Sequence, residues 1–266
     1  MTFLDRAAAR TRQRLERNKE ALPEAALAET CARCAPPPPF RTAIARRPGE
    51  GIKVIAEVKR SSPSRGPIRP GLVLEDLVEA YERGGASAVS VLTEPEFFGG
   101  SLDDIARARA VTGLPILRKD FILDPYQLLE ARAAGASAVL LIVALLARSE
   151  LEKLLAEAQG LGLEALVEVR DEVEIEAALQ AGAGVIGINN RDLKTLAVGL
   201  ETTRKLAPLV PPSRVLVSES GYSRPEQTRE ALGLGVDAVL VGEALVGCDI
   251  PERTLAALKG DGYGLD

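Results

Sequence analysis

Ionisable side chains recur at the ends of short apolar runs along this chain. Glu57-Val-Lys59 closes the run that begins at Val54, Arg118-Lys119-Asp120 follows Pro115–Leu117, and Glu168 lies near the end of Glu164–Val169. Thr93-Glu94, Asn189-Asn190-Arg191, Ser218-Glu219-Ser220-Gly221 and Gly242-Glu243 close four more runs. Carboxylates and ammonium groups of this kind can pass protons to and from a reacting molecule. The chain has 266 residues and no histidine, which excludes a Ser-His-Asp triad, a Cys-His pair and His-ligated zinc. Proton transfer therefore falls to Glu, Asp, Lys, Tyr or Cys. Glu57 and Lys59 are two residues apart in an extended run, so both side chains leave the same side of the pleat. Burying them against a helix layer without a purpose would be costly. Glu57, Lys59, Lys119 and Glu168 are therefore read as functional.

Two further tips carry glycine. Ser220-Gly221 and Gly242-Glu243 place backbone N–H groups where a phosphate could approach, or they are ordinary turn glycines. Phe97-Phe98 follows the second run in a chain with only 3% aromatic residues. As a loop, the pair either stacks on a flat ligand or covers the rim of the fold.

Something must bring these tips together. The runs Val54–Val58, Ala86–Leu92, Pro115–Leu117, Ala136–Val143, Glu164–Val169, Gly184–Ile188, Val215–Val217 and Ala238–Val241 are nearly continuous in apolar character, as parallel strands buried on both faces should be. Amphipathic stretches separate them, and Ser149-Glu-Leu-Glu152 and Ser223-Arg-Pro-Glu226 match the capping box. Glycine precedes an apolar run at Gly85, Gly135, Gly182 and Gly235, a recurrence of about fifty residues that corresponds to two βα units. Eight βα units predict a (β/α)8 TIM barrel with extra N-terminal helices; a doubly wound open sheet is the alternative. Residues 1–50 read as a helical extension ending in a connector stiffened by Pro36–Pro39, and residues 51–266 as the barrel, the whole forming one structural domain. Barrel active sites lie at the C-terminal ends of the strands, where seven of the eight tips are polar; strand 4, running into Ala144-Leu145, is the exception.

Composition limits the alternatives. With 46% hydrophobic and 27% charged residues the chain is neither disordered nor collagen-like. A net charge of −5 without a basic block argues against nucleic-acid binding. The uncharged stretch Ala133–Ala147 is shorter than the ~18–20 residues that span a bilayer, and the N-terminus has no apolar signal core. The expectation is a cytoplasmic chain with no membrane partner. Cys31 and Cys34 form a lone C-x-x-C, read as ordinary helix thiols rather than a redox pair. Three Asn, five Gln and an excess of Arg over Lys fit a heat-adapted source, although high genomic G+C acts in the same direction.

Several segments in order resemble the indole-3-glycerol phosphate synthase family of tryptophan biosynthesis. They are Ile55-Ala-Glu-Val-Lys-Arg-Ser-Ser-Pro-Ser64, Leu92-Thr-Glu-Pro-Glu-Phe-Phe-Gly-Gly-Ser101, Leu117-Arg-Lys-Asp-Phe121, Leu166-Val-Glu-Val169, Ile188-Asn-Asn-Arg-Asp-Leu193 and Val217-Ser-Glu-Ser-Gly221. The resemblance implies N-terminal helices over the barrel mouth, matching residues 2–35, and no cofactor or metal. It implies ring closure, decarboxylation and dehydration of 1-(2-carboxyphenylamino)-1-deoxyribulose 5-phosphate.

Under it Lys119 is the general acid and Glu168 the base. Lys59 holds a substrate carboxylate or phosphate, or acts as the acid for loss of hydroxyl. Glu57 orients Lys59 or shares the base role, and Asn189 and Glu219 bond the substrate hydroxyls. Arg191 binds the aromatic carboxylate. Ser62, Ser220, Gly221, Gly242 and the Glu243 N–H hold phosphate, and Phe98 and Phe121 line the aromatic pocket. Two lysines facing one lumen should depress at least one lysine pKa. The implied partner is a small phosphorylated molecule acted on by a monomer, with contact to other enzymes of the pathway possible. The rival readings are a Schiff-base aldolase and a phosphate-binding barrel without chemistry.

Overall fold

The computed structural model describes residues 2–63, 65–192 and 196–260. Ser64 and Leu193, which end two of the segments above, lie outside them. Eight parallel strands close into a barrel: β1 (Lys53–Val58), β2 (Ala88–Leu92), β3 (Ile116–Lys119), β4 (Ala138–Ile142), β5 (Glu164–Val169), β6 (Val185–Asn189), β7 (Val215–Glu219) and β8 (Ala238–Val241). Each pairs with its neighbours in chain order, and β1 pairs with β8 to close the ring. The helices are α1 (Phe3–Ala21), α2 (Glu24–Arg33), α3 (Phe40–Ile44), α4 (Leu74–Arg83), α5 (Pro95–Phe98), α6 (Asp103–Val111), α7 (Pro125–Ala134), α8 (Arg148–Gly160), α9 (Glu172–Gln180), α10 (Glu201–Leu206), α11 (Pro225–Gly233), α12 (Glu243–Val246) and α13 (Pro251–Lys259). Among the described residues, no helix is long and apolar enough to cross a membrane.

The period of two along each strand separates two cores. Val54, Ala56 and Val58 of β1 join Val89, Val139, Val167, Ile186 and Val239 in the layer beneath the helices. The opposite face supplies Ile55, Ala88, Leu117, Leu140, Leu166, Val185, Val217 and Leu240, one from each strand, to a core inside the barrel. The strands are apolar on both faces because both faces are covered, as the near-continuous runs required.

The four recurring glycines all have positive φ. At Gly135, for example, φ is 94° and the next residue, Ala136, donates its N–H to the Ala131 carbonyl at 2.9 Å, so helix α7 ends and the chain turns directly into β4. The two expected capping boxes form elsewhere. Helix α8 begins at Arg148, and the carboxylate of Glu150, not Glu152, accepts the Ala147 N–H at 2.7 Å. Pro225 fixes the first turn of α11, so Gln227 accepts the N–H of Ser223 and of Arg224, each at 2.9 Å.

The N-terminal helices divide their tasks. Only α1 reaches the barrel mouth. Helix α2 instead lies on α7, with Leu27 and Cys31 packed against Tyr126 and Leu129. A third helix, α3, was not foreseen. Its Phe40 and Ile44 are fully buried against the barrel interior, and the Arg41 N–H is held by Glu164 at the start of β5. It therefore plugs the end of the barrel opposite the strand tips.

Candidate active site

Glu57, Lys119, Glu168 and Glu219 each stand two residues beyond an interior apolar residue of their strand, and so face the lumen. Glu57 follows Ile55, Lys119 follows Leu117, Glu168 follows Leu166, and Glu219 follows Val217. Asn189 follows Gly187 on β6, and Gly242 follows Leu240 after β8. They converge on one cavity of about 730 Å³ at the C-terminal ends of the strands. Its wall includes Glu57, Lys59, Lys119, Glu168, Asn189, Arg191, Glu219, Ser220, Gly221, Gly242, Glu243, Phe98 and Phe121. Ser62 is the exception among the candidates. It sits buried in a short ribbon where Ser61–Ser62 pairs with Gly66–Pro67, and it is not part of the wall.

The wall has two characters. Leu92, Phe98, Phe121, Leu140 and Ile142 from the β2–β4 side, joined by Phe3 of α1, make an apolar flank. The Phe98 and Phe121 ring centroids are 6.5 Å apart, and Phe3 meets Phe121 edge-on at 6.0 Å. Strand 4 contributes Leu140 and Ile142 to this flank, whereas Ala144 and Leu145 beyond it are not part of the wall. Polar groups gather on the side of β1, β6, β7 and β8. Between the flanks, Lys119 Nζ lies 3.2 Å from Glu168 Oε2 and is also hydrogen-bonded to Glu219 Oε2.

Close approach depends on two glycines. A Cβ on Gly187 would run into Glu219 Oε1, and one on Gly242 would sit 2.5 Å from Glu57 Oε1 and 3.1 Å from Lys59 Nζ. The Lys59 ammonium is 3.0 Å from Glu57. Asn189 Oδ1 accepts from the Arg191 N–H at 2.9 Å and from Ser220 Oγ at 3.0 Å. Ser220 has φ 70°, a left-handed conformation unusual for a residue with a side chain, and Gly221 follows at φ 93°. Such strain persists where surrounding bonds impose it. Asn190 does so from outside the lumen, since its side-chain amide donates to the Ser220 carbonyl at 3.1 Å.

The family model for indole-3-glycerol phosphate synthase matches residues 4–258. The chain belongs to the indole-3-glycerol phosphate synthase family. A protein of that name from Streptomyces coelicolor is 49% identical over 237 residues, covering 89% of this chain and 91% of the relative. One from Kineococcus radiotolerans is 46% identical over 264 residues, covering 98% and 96%. The barrel alone is shared with 3-hexulose-6-phosphate synthase from Salmonella typhimurium (TM-score 0.64, 14% identity, 79% of this chain and 97% of that one). It is also shared with thiamine phosphate pyrophosphorylase from Pyrococcus furiosus (TM-score 0.59, 22% identity, 79% and 94%).

In this indole-3-glycerol phosphate synthase family member the charges differ from expectation at one point. Lys119 is not made acidic by its lysine neighbour. Burial alone would lower its pKa, but the carboxylates of Glu219, Glu168 and Glu57 outweigh burial and hold it above the ordinary lysine value. Burial instead pushes the Glu219 carboxyl up to about 7 against the pull of Lys119, with Glu168 and Glu57 adding to the rise. Glu168 Oε1 and Glu219 Oε1 are buried without a hydrogen-bond partner among the described residues. Each offers an acceptor to a bound molecule.

Some wall residues had no sequence signal. Phe3 and Arg65 reach the cavity from outside the strand tips. Glu94 and Asp120 were visible as tip residues without an assigned role. The Glu94 carboxylate caps α5, accepting the Phe97 N–H at 2.6 Å, and so holds the turn that carries Phe98. Asp120 accepts from Thr93 Oγ1 at 2.8 Å and from Arg14 of α1 at 2.9 Å, which ties α1 to the loop after Lys119. Phe97-Phe98 is a helical turn, and the pair is split: Phe98 lines the cavity while Phe97 packs on Phe3 at 5.1 Å.

Proposed function

We propose that the cavity converts 1-(2-carboxyphenylamino)-1-deoxyribulose 5-phosphate into indole-3-glycerol phosphate, CO2 and water. The ring carbon bearing the carboxylate attacks the ribulose carbonyl, CO2 leaves, and water is lost as the indole forms. Lys119 donates a proton to the carbonyl oxygen as that oxygen gains charge. Glu168 takes the proton released in the dehydration. Lys59, aimed by Glu57, holds an anionic group of the substrate or supplies the proton to the departing hydroxyl. Asn189 and Glu219 bond the sugar hydroxyls, and Arg191 presents two donors to the aromatic carboxylate. Ser220 and the backbone N–H groups of Gly221, Gly242 and Glu243 hold the phosphate. No cofactor enters these steps.

The observation that carries this reading is the division of the cavity wall. The substrate has an aryl ring at one end and a phosphorylated polyol at the other, and the wall has an apolar flank facing a polar one with Lys119 and Glu168 at the junction. Indole fluorescence after addition of the substrate tests it against a dark background, since the chain has no Trp. Absence of that signal from folded, full-length chain at micromolar concentration removes the proposal.

We assign the chain to the cytoplasm as a monomer. Its three Asn and five Gln fit a heat-adapted source. Sedimentation and a thermal melt check the oligomeric and thermal parts.

A further inference from the structure

Glu243 holds a position that its expected role does not explain. Its backbone was expected to face a phosphate, yet its carboxylate stands at the same rim, where it would repel one. Three cations from two different strand tips converge on that carboxylate. Arg191, beyond β6, approaches Oε1 at 3.3 Å. Lys59, beyond β1, is 3.8 Å from the same oxygen, and Arg65, farther along the segment after β1, is 3.3 Å from Oε2. The Glu243, Lys59 and Arg191 side chains are mostly buried, whereas Arg65 is 67% exposed. Exposed pairs are individually weak, and mostly buried cations need a counter-charge. Lys59 already has Glu57, so Glu243 is its second carboxylate, and Arg191 also donates to the Leu196 carbonyl at 3.1 Å.

We propose that the Glu243 carboxylate is a resident counter-anion, a positioning residue that aims Lys59 and Arg191 in the empty site and yields Arg65 and Arg191 to the anionic groups of the substrate as they enter. The inference rests on the proposed reaction only in that the substrate is a carboxylated phosphate ester. The cations are thus aimed before binding, and the carboxylate stays at the rim beside the bound anion. The cost is affinity, because every entering anion competes with a carboxylate already in place.

Titration of full-length chain with inorganic phosphate separates this from a purely structural role. Glu243→Gln keeps the shape of the side chain and removes its charge, so phosphate should bind about three- to tenfold tighter than to the wild type. Glu243→Asp should return the affinity toward the wild-type value. With substrate, Glu243→Gln should lower KM and kcat together, because the anion binds better while Lys59 and Arg191 lose their aim. Unchanged or weaker phosphate binding in Glu243→Gln overturns the proposal, as does a raised KM. If Glu243→Gln does not fold, Arg65→Gln reads the same exchange: phosphate affinity falls, and an unchanged affinity overturns it. The phosphate titration needs no turnover. A wild-type chain that makes no product would therefore count against the proposed reaction and not against this exchange.

Discussion

Lys119 Nζ lies 3.2 Å from Glu168 Oε2, although β3 and β5 do not pair with each other. The barrel brings the two groups together across its lumen, with the Glu219 carboxylate completing a group of two acids around one ammonium. Replacing Lys119 by Ala should lower kcat by about a thousandfold or more, while KM changes by less than about tenfold. Indole fluorescence reads both values. Near-normal turnover would remove Lys119 from the mechanism. The same site bears on the aldolase reading: an amine held protonated is a poor nucleophile, so borohydride with substrate should leave Lys119 unlabelled.

Glu219 makes the site sensitive to pH near neutrality. Its carboxyl is raised from 4.5 to about 7 in the folded chain. Between those values the folded state binds a proton that the unfolded state has released. Stability should therefore fall as pH rises through that window. Denaturant unfolding at pH 5 and pH 8 should show the decline in the wild type and a shallower one in Glu219→Gln. The kcat profile should rise through about pH 7 as the carboxylate form appears, and Glu219→Gln should lose that limb. A wild-type stability that is flat or rising across the window would contradict the assignment.

Gly187 is small because Glu219 needs the space. A Cβ there would meet Glu219 Oε1 and would stand 3.0 Å from Leu166 Cδ1. Gly187→Ala should cost about 1–3 kcal/mol by overpacking, and it should reduce kcat as Glu219 is displaced from Lys119. A thermal melt paired with kinetics checks both, and an unchanged Tm with unchanged kcat would show that the lumen has room to spare.

Arg118 is the charge that does face the helix layer. It is buried, and its guanidinium donates to the Gln127 carbonyl at 2.7 Å, Glu130 at 3.0 Å and Asp120 at 3.1 Å. Its burial is compensated by full pairing. Arg118→Leu should destabilise the chain by about 3–5 kcal/mol, since Asp120 keeps Arg14 and Thr93 but the buried Glu130 loses its cation and is left with Asn18. Urea unfolding measures the loss; a change below about 1 kcal/mol would mean that Glu130 finds another partner.

The alternation rule separated Glu57 and Lys59 from Val58 without any coordinates, because a strand offers only two faces. It gave Arg118 no place, although Lys119 was read as functional. Both are cations at one tip, and only the packing of α7 shows that one serves the outer layer and the other the lumen. The Glu243 side chain was equally opaque, since nothing along the chain brings Arg65 and Arg191 to it.

Local chemistry was legible in the order of the residues: apolar runs fixed by their period, glycines where a helix must stop, and acids and amines at the tips, with no histidine to share their work. Tertiary structure decided the rest. Closing the ring set which tips touch, docking α1 brought Phe3 and Arg14 to the mouth, and the balance of burial against neighbouring charge kept Lys119 protonated while raising Glu219. These depend on distances between residues far apart in sequence, and Coulomb and packing energies are functions of those distances rather than of position along the chain.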